Sequence, residues 1–242
     1  MRKLIVILAF LILGFAVSLF LKVSRIEVSG ANRIDINAIV SAGGLATGES
    51  VIFADTNGAE KRILAEFPYI ESVHIYRKLP TTLRIDLIES TPIAYIELQD
   101  GNYAKISESG RVLELIDAEQ DGRPGGIRIT GVGAGLAKPG APYEPGDDET
   151  IRFGYCLEFL QAVNNSNETR YLLQYISYIN ASDLLDFKFD LNYNRGFIVS
   201  LGSREQTTRK LGTLTQTLEK LNPTDSGTLD LSVIGEAHLI PS

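Results

Sequence analysis

An apolar run near the amino terminus constrains this chain more than any other feature. Residues 4–21 are all apolar or small, and Arg2, Lys3 and Lys22 flank them. At a rise of about 1.5 Å per residue, a helix over this run is about 27 Å long, close to the about 30 Å of a hydrocarbon core. We therefore predict a membrane-spanning helix at residues 4–21, preceded by a short tail at residues 1–3.

A cleaved signal peptide is the alternative interpretation of the same run. Ala16, Val17 and Ser18 could form a small-residue cleavage site, but the run stays apolar through Leu21, whereas a signal-peptide core usually has about 7 to 15 apolar residues. Basic residues on the two sides balance, so the positive-inside rule leaves the orientation open. A tail at residues 1–3 is too short for a domain, which favours a single-pass protein with a cytoplasmic amino terminus and extracytoplasmic domains.

Composition argues against several kinds of chemistry. The chain has 23 Lys and Arg against 30 Asp and Glu, and no basic cluster follows the apolar run. Nucleic-acid binding needs a concentration of basic side chains, so we do not expect it. The single cysteine, Cys156, can form no internal disulfide. It lies in a helical apolar pattern, so we expect a small buried side chain rather than a nucleophile.

Short segments with clear periodicity begin at about residue 23. Alternating polar and apolar residues predict strands at 25–29, 70–76 and 83–88, and two helices are predicted at 35–43 and 56–67. The predicted order of residues 23–92 is therefore β-α-α-β-β.

Residues 93–242 predict a mixed β domain with two helices packed on one sheet, so the whole chain is predicted to be α+β. The helices are predicted at 147–163 and 203–221. The strands are predicted at 94–97, 104–106, 112–115, 127–130, 174–179, 187–191 and 197–201. Residues 131–146 contain five glycines and three prolines and predict a surface loop, to which we assign no function.

Residues 26–32, 68–70, 77–83 and 89–94, followed by a hairpin at residues 103–106 and 109–113, together resemble the FtsQ/DivIB cell-division proteins. The POTRA domain of that family is similar to residues 26–32, 68–70, 77–83 and 89–94, and its later hairpin is similar to residues 103–106 with 109–113. Residues 227–231 resemble its penultimate strand. The resemblance implies a POTRA domain at residues 23–92 and an FtsQ/DivIB-type β domain at residues 93–242.

The same resemblance implies a function. It implies a divisome protein of the plasma membrane at the division septum, which binds and positions partners of the FtsL and FtsB/DivIC type. Through them it would regulate septal cell-wall synthesis and contact the septal transpeptidase complex. The family implies no cofactor, no small-molecule substrate and no enzymatic activity.

The last predicted strand, at residues 233–240, is the candidate site. A final strand tends to lie at a sheet edge, where its unpaired N–H and C=O groups can bind a strand of another chain. The alternative is a plain terminal strand whose edge is protected by charged side chains. The resemblance implies that FtsB or DivIC binds here, although this chain has no tryptophan to serve as an aromatic anchor. The predicted partner-binding residues are Val233, Gly235, Glu236, Ala237, His238, Leu239 and Ile240.

Other motifs are incomplete. Residues 117–122 begin like a calcium loop, but Arg128 stands where a bidentate glutamate is needed. Residues 131–135 lack the third glycine of a dinucleotide-binding turn. Two alternative functions remain: a wall enzyme using Glu89, Asp230 and Glu236, and an exported POTRA protein that binds client strands in secretion or envelope assembly.

Overall fold

The computed structural model describes residues 21–241, together with Ile7 and Gly14. The predicted tail at residues 1–3 and nearly all of the predicted membrane-spanning run at residues 4–21 lie outside the described residues. Among the residues that are described, no helix is both long enough and apolar enough to cross a membrane. The chain divides into two compact units, Met1–Ser90 and Thr91–Ser242.

The amino-terminal unit has the predicted order of elements. It consists of β1 (Arg25–Ser29), α1 (Ile36–Gly43), α2 (Thr56–Glu66), β2 (Ile70–Lys78) and β3 (Thr82–Glu89). The strands form one sheet in the order β1-β3-β2, in which β1 is parallel and β2 antiparallel to β3.

Aspartates begin both helices of this unit. The Asp35 side chain accepts the N–H of Asn37, and the Asp55 side chain accepts the N–H of Gly58. These bonds satisfy donors that a helix leaves free at its first turn. The apolar sides of the helices then pack on the sheet, and the side chains of Ile39, Ile63 and Ile85 are among those buried in the shared core.

The carboxy-terminal unit contains nine strands and two α-helices. The strands are β4 (Pro92–Glu97), β5 (Tyr103–Ser107), β6 (Val112–Ile116), β7 (Ile127–Thr130), β8 (Ile176–Asn180), β9 (Phe187–Leu191), β10 (Phe197–Gly202), β11 (Gly227–Asp230) and β12 (His238–Pro241). The helices are α3 (Thr150–Asn164) and α4 (Thr207–Leu218). All nine strands join one mixed sheet in the order β12-β11-β10-β9-β8-β7-β4-β5-β6. The predicted α+β class is confirmed.

Both helices of this unit share one core with the sheet. The ring of Phe159 on α3 lies 5.2 Å from that of Phe187 and 5.0 Å from that of Phe189, measured between centroids. Leu211 and Leu214 of α4 are buried in the same core. Because successive side chains of a strand point to opposite faces, the residues between these core positions lie on the other face of the sheet. We call this the open face.

The predicted boundaries differ from the structure where a 3-10 turn precedes a regular element. The helix predicted from residue 147 begins as α-helix at Thr150, because Asp147–Glu149 form a 3-10 turn. The strand predicted from residue 174 begins at Ile176, after the 3-10 turn Arg170–Gln174. Such turns are frequent at element ends and share the local composition of the element that follows.

Candidate protein-binding site

The last described strand, β12, lies at one end of the nine-stranded sheet. Among the described strands, only β11 pairs with it, and the pairing is antiparallel. Thr228 faces Ile240 and Asp230 faces His238 in this pair. The prediction that the final strand lies at a sheet edge is confirmed.

One hydrogen bond shows which main-chain groups of β11 point toward β12. The N–H of Leu231 donates to the carbonyl oxygen of Ser200 at 2.8 Å, toward β10. Hydrogen-bonding direction alternates along a strand. Thr228 and Asp230, at the alternate positions, therefore direct their N–H and C=O groups toward β12.

The same alternation determines which way the main-chain N–H and C=O groups of β12 point. His238 and Ile240 pair with β11, so the N–H and C=O of Leu239 point away from the sheet. Pro241, also on the outward side, has a carbonyl oxygen but no N–H. Within β12, Leu239 is therefore the residue that can both donate to and accept from a strand of another chain.

The side chains of β12 divide between the two faces of the sheet. Leu239 is partly buried and packs against the core. Ile240 is 56% exposed on the open face, where Ile198 of β10 is 47% exposed. The imidazole Nε2 of His238 lies 3.2 Å from the carboxylate of Glu236. An added strand would thus meet the rim of the core on one side and two exposed isoleucines nearby on the other.

The predicted strand at residues 233–240 is wrong before His238. Val233, Gly235, Glu236 and Ala237 lie in a turn and a short irregular segment. Gly235 has φ 82°, and the N–H of Glu236 donates to the carbonyl oxygen of Val233 at 3.2 Å. A positive φ interrupts a strand and is accessible to glycine at little cost, so Gly235 is the residue that breaks the predicted alternation.

Comparison with known proteins finds similarity to cell-division proteins. Residues 21–90 match the model of the FtsQ-type POTRA domain. FtsQ of Corynebacterium glutamicum is 33% identical over 93 residues, which are 38% of this chain and 41% of the relative. DivIB of Clostridium botulinum strain Hall is 27% identical over 245 residues, covering 97% of this chain and 89% of the relative. The chain is thus similar to FtsQ and DivIB cell-division proteins over nearly its whole length, and residues 21–90 match the FtsQ-type POTRA domain.

These matches confirm the resemblance derived from the sequence and support a role in cell division. The amino-terminal unit is an FtsQ-type POTRA domain, and its β-α-α-β-β order is that predicted for residues 23–92. Of the seven predicted partner-binding residues, His238, Leu239 and Ile240 lie in the edge strand, and the other four lie before it.

Two of the carboxylates considered for a wall enzyme accept hydrogen bonds from nearby backbone N–H groups. The Asp230 carboxylate accepts the N–H of Ser232 at 2.8 Å, and this bond is the main reason that the pKa of Asp230 lies below its usual value. The Glu89 carboxylate accepts the N–H groups of Asn32 at 2.8 Å and Arg33 at 3.0 Å. Burial acts to raise the pKa of Glu89, but these backbone bonds lower it overall. Both groups anchor local turns.

Cys156 is fully buried, as predicted, and burial raises the pKa of its thiol to about 12. A nucleophilic cysteine needs a lowered pKa and access to solvent, so this site is unsuited to such chemistry. In the part of the chain that the structure describes, no three His, Cys, Asp or Glu side chains lie close enough together to hold a metal ion.

Sequence reasoning missed the open face of the sheet. A cavity of about 450 Å³ lies beside β12 and is lined by Ile198, Thr228 and Ile240, among others. A second cavity of about 510 Å³ lies farther along the same face, at Tyr178. Asp190 of β9 lines both. The alternation of polar and apolar residues in each strand could have indicated which side chains point away from the core. Which of these side chains lie next to one another is known only once the strand order is known.

Proposed function

We propose that this chain is a divisome scaffold whose β12 edge captures a partner of the FtsB/DivIC type by strand addition. The observation that carries the proposal is the outward direction of the Leu239 N–H and C=O at an edge that no other described strand covers. Backbone hydrogen bonds supply affinity in this binding mode, and side-chain pockets on alternating sides supply specificity. Similarity to FtsQ and DivIB cell-division proteins supports a partner from cell division.

The proposal extends to the complex and its place in the cell. We propose that the FtsB/DivIC-type partner brings an FtsL-type protein with it, and that the complex regulates septal wall synthesis by positioning rather than by catalysis. Residues 4–21 would anchor the chain in the plasma membrane, with residues 1–3 in the cytoplasm and the two units outside. The apolar composition of that run supports the anchor.

Leu239→Pro tests the strand-addition step. Proline removes the outward N–H, and a proline at this position is compatible with an edge strand because that N–H donates to no strand of the sheet. We expect capture of the FtsB/DivIC-type protein from the same cell to weaken by about tenfold or more, since the loss of one hydrogen bond and a clash with the incoming strand act together. Binding is measured by pull-down and calorimetry with the full-length chains.

Two matched variants distinguish the contribution of the main chain to binding from that of the side chain. Leu239→Ala keeps the outward N–H and removes the side chain that packs on the core, so binding should change much less than with proline. Ile240→Pro removes the donor that faces Thr228 of β11, so it should release β12 from the sheet and lower both thermal stability and binding. Unchanged binding by Leu239→Pro, with a normal melting temperature, would refute strand addition at this edge.

A further inference from the structure

One row of register partners crosses the open face beside the proposed edge site. Each residue of the row faces the next across a strand pair, so all point to the same side of the sheet. From β7 to β12 the row consists of Arg128, Tyr178, Asp190, Ile198, Thr228 and Ile240. The row is therefore apolar near β12, acidic at β9 and basic at β7.

Asp190 is the unusual member of this row. Its side chain is partly shielded from solvent, and burial raises its pKa. It forms no hydrogen bond or ion pair with any residue that the structure describes. Neighbouring carboxylates differ: Asp186 pairs with Lys188 and accepts from Ser200, and Glu97 pairs with Arg128. Since an unpaired, partly desolvated carboxylate costs stability, its presence is typical of a binding site.

The surroundings of Asp190 have the shape of a binding site. It lies where the cavities of about 450 Å³ and about 510 Å³ adjoin. On one side the exposed side chains of Ile198 and Ile240 offer an apolar surface that continues to β12. On the other side the aromatic ring of Tyr178 lies at the next register position. An aliphatic chain that ends in a cation fits this sequence of contacts, because its stem packs on apolar groups while its head reaches the acid.

We propose that Asp190 receives a lysine or arginine side chain from a partner segment that packs over Ile198 and Ile240. The inference rests on the proposed function, because the occupant is the same chain that adds a strand to β12. Arg195, Arg123 and Arg128 also line the two cavities, but none of them hydrogen-bonds or ion-pairs with Asp190, so charge complementarity at Asp190 itself selects a basic group. Ile240 belongs to both the edge strand and the apolar surface, so the two contacts form one continuous interface.

The strand spacing sets the pattern that the partner must carry. Asp190 lies three strands from β12, which is about 14 Å at the usual spacing of 4.7 to 4.9 Å. A helix covers this distance in about nine or ten residues. If the segment is helical, its basic residue stands about nine or ten positions from the residue that contacts Ile240, and apolar residues fill the interval at three- and four-residue spacing.

Asp190→Asn tests the inference with two readouts of opposite sign. The amide keeps the shape of the side chain but removes the charge that the cation needs. The melting temperature of the free full-length chain should rise, because an unpaired, partly buried charge is removed. Its affinity for the full-length FtsB/DivIC-type protein should fall about tenfold or more, as expected for one partner of a shielded charge pair.

A second acidic position on the same face is the control. Glu114 of β6 lies at the other end of the sheet and pairs with Lys105. Glu114→Gln should leave the affinity within about twofold of wild type, because the charge lies far from the interface and is screened. Equal losses in the two variants would indicate a general charge effect and would overturn the assignment of Asp190.

The other outcomes separate this inference from the proposed function. Wild-type affinity in Asp190→Asn, with binding still lost in Leu239→Pro, overturns the docking surface and leaves strand addition in place. A lower melting temperature in Asp190→Asn shows that the acid stabilises the fold and also overturns the inference. If the wild-type chain binds no FtsB/DivIC-type protein, the proposed function fails and the docking surface fails with it.

Discussion

At one end of the nine-stranded sheet a loop pairs with the first residue of the outer strand, and at the other end no described residue pairs with the outward main chain of the outer strand. Beside β6, the N–H of Val112 donates to the carbonyl oxygen of Ala141 and the N–H of Gly140 donates to that of Val112, both at 2.8 Å. Beside β12, no described residue pairs with the outward main chain of Leu239. Because an unpaired edge is a template for another chain, the difference indicates that the start of β6 is protected from strand addition while β12 is available for it.

The covering loop is the segment at residues 131–146, to which the sequence assigned no function. Its centre is Tyr143, whose hydroxyl donates to the carbonyl oxygen of Val132 at 2.5 Å and accepts the N–H of Gly135 at 3.1 Å. The Tyr143 ring packs edge-on against Phe153 of α3, with 5.0 Å between centroids. A buried, hydrogen-bonded side chain thus fixes the loop over the β6 edge.

Of the variants considered, Gly135→Ala is expected to reduce the difference between the two sheet edges most strongly. A Cβ at this position would lie 2.1 Å from the carbonyl oxygen of Glu144 and 2.7 Å from the Cα of Pro145, both backbone atoms. The loop must therefore shift, and we expect the free energy of unfolding to fall by about 2 to 3 kcal/mol. Hydrogen exchange should show loss of protection at the Val112 amide, whereas binding at β12 should stay at the wild-type level.

A glycine with free space around it provides the control for that variant. Apart from its chain neighbours and the backbone of its own helix, no atom of the described residues lies within 4 Å of a Cβ placed on Gly154, in the first half of α3. Gly154→Ala should therefore stabilise the chain by about 0.5 to 1 kcal/mol, through helix propensity. Continued protection of the Val112 amide in Gly135→Ala would contradict the view that this loop closes the β6 edge.

Tyr143→Phe should weaken the loop without displacing it. The ring remains, but the buried carbonyl of Val132 and the N–H of Gly135 each lose a partner, so we expect a loss of about 1 to 2 kcal/mol in urea unfolding. Tyr76→Phe, at an exposed tyrosine of β2 that is 51% accessible, should change stability by less than about 0.5 kcal/mol. If both variants are equally stable, the hydroxyl of Tyr143 does not hold the loop.

The sequence was most informative where one periodic pattern decides the structure. Alternation placed β1, β2 and β3 within a few residues of their observed bounds, because each strand buries one face. The edge position of β12 was also predictable, from its place after the last helix and the penultimate strand. The turn at Gly235 was missed because the flanking apolar residues continue an alternating pattern through a residue whose φ is positive.

Features that depend on strand order could not be predicted from the sequence. Asp190 lies between the buried residues Phe189 and Leu191. Such alternation of polar and buried apolar residues is the ordinary pattern of a strand with one exposed face. Only the order of β8, β9 and β10 places Tyr178 and Ile198 beside it. Likewise, the cover over β6 comes from a segment distant in sequence, whose glycines and prolines predict a loop but not its neighbour.

Acid should lower the stability of the β12 end of the sheet by removing the charge of Asp230. This is the smallest of the predicted effects. The hydrogen bond from the Ser232 N–H holds the pKa of Asp230 below its ordinary value, and this residue faces His238 at the start of β12. Because the folded-state pKa is lowered, the charged group contributes stability above the ordinary pKa of about 3.8, and this contribution disappears as the pH falls through the folded-state value. Wild type should therefore lose more stability than Asp230→Asn between pH 5 and acid conditions.

The Asn variant isolates the charge because its amide oxygen can still accept the N–H of Ser232. At pH 5 we expect wild type to be more stable by about 1 kcal/mol or less, and urea unfolding at a series of pH values should show that advantage vanish in acid. Amide exchange, corrected for its intrinsic pH dependence, locates the change: the Ile240 amide, which faces Thr228 of β11, should lose protection before the Val112 amide does. Equal acid sensitivity of the two amides would mean that the two sheet ends respond to acid as one unit, and that the Asp230 charge does not act selectively on β12.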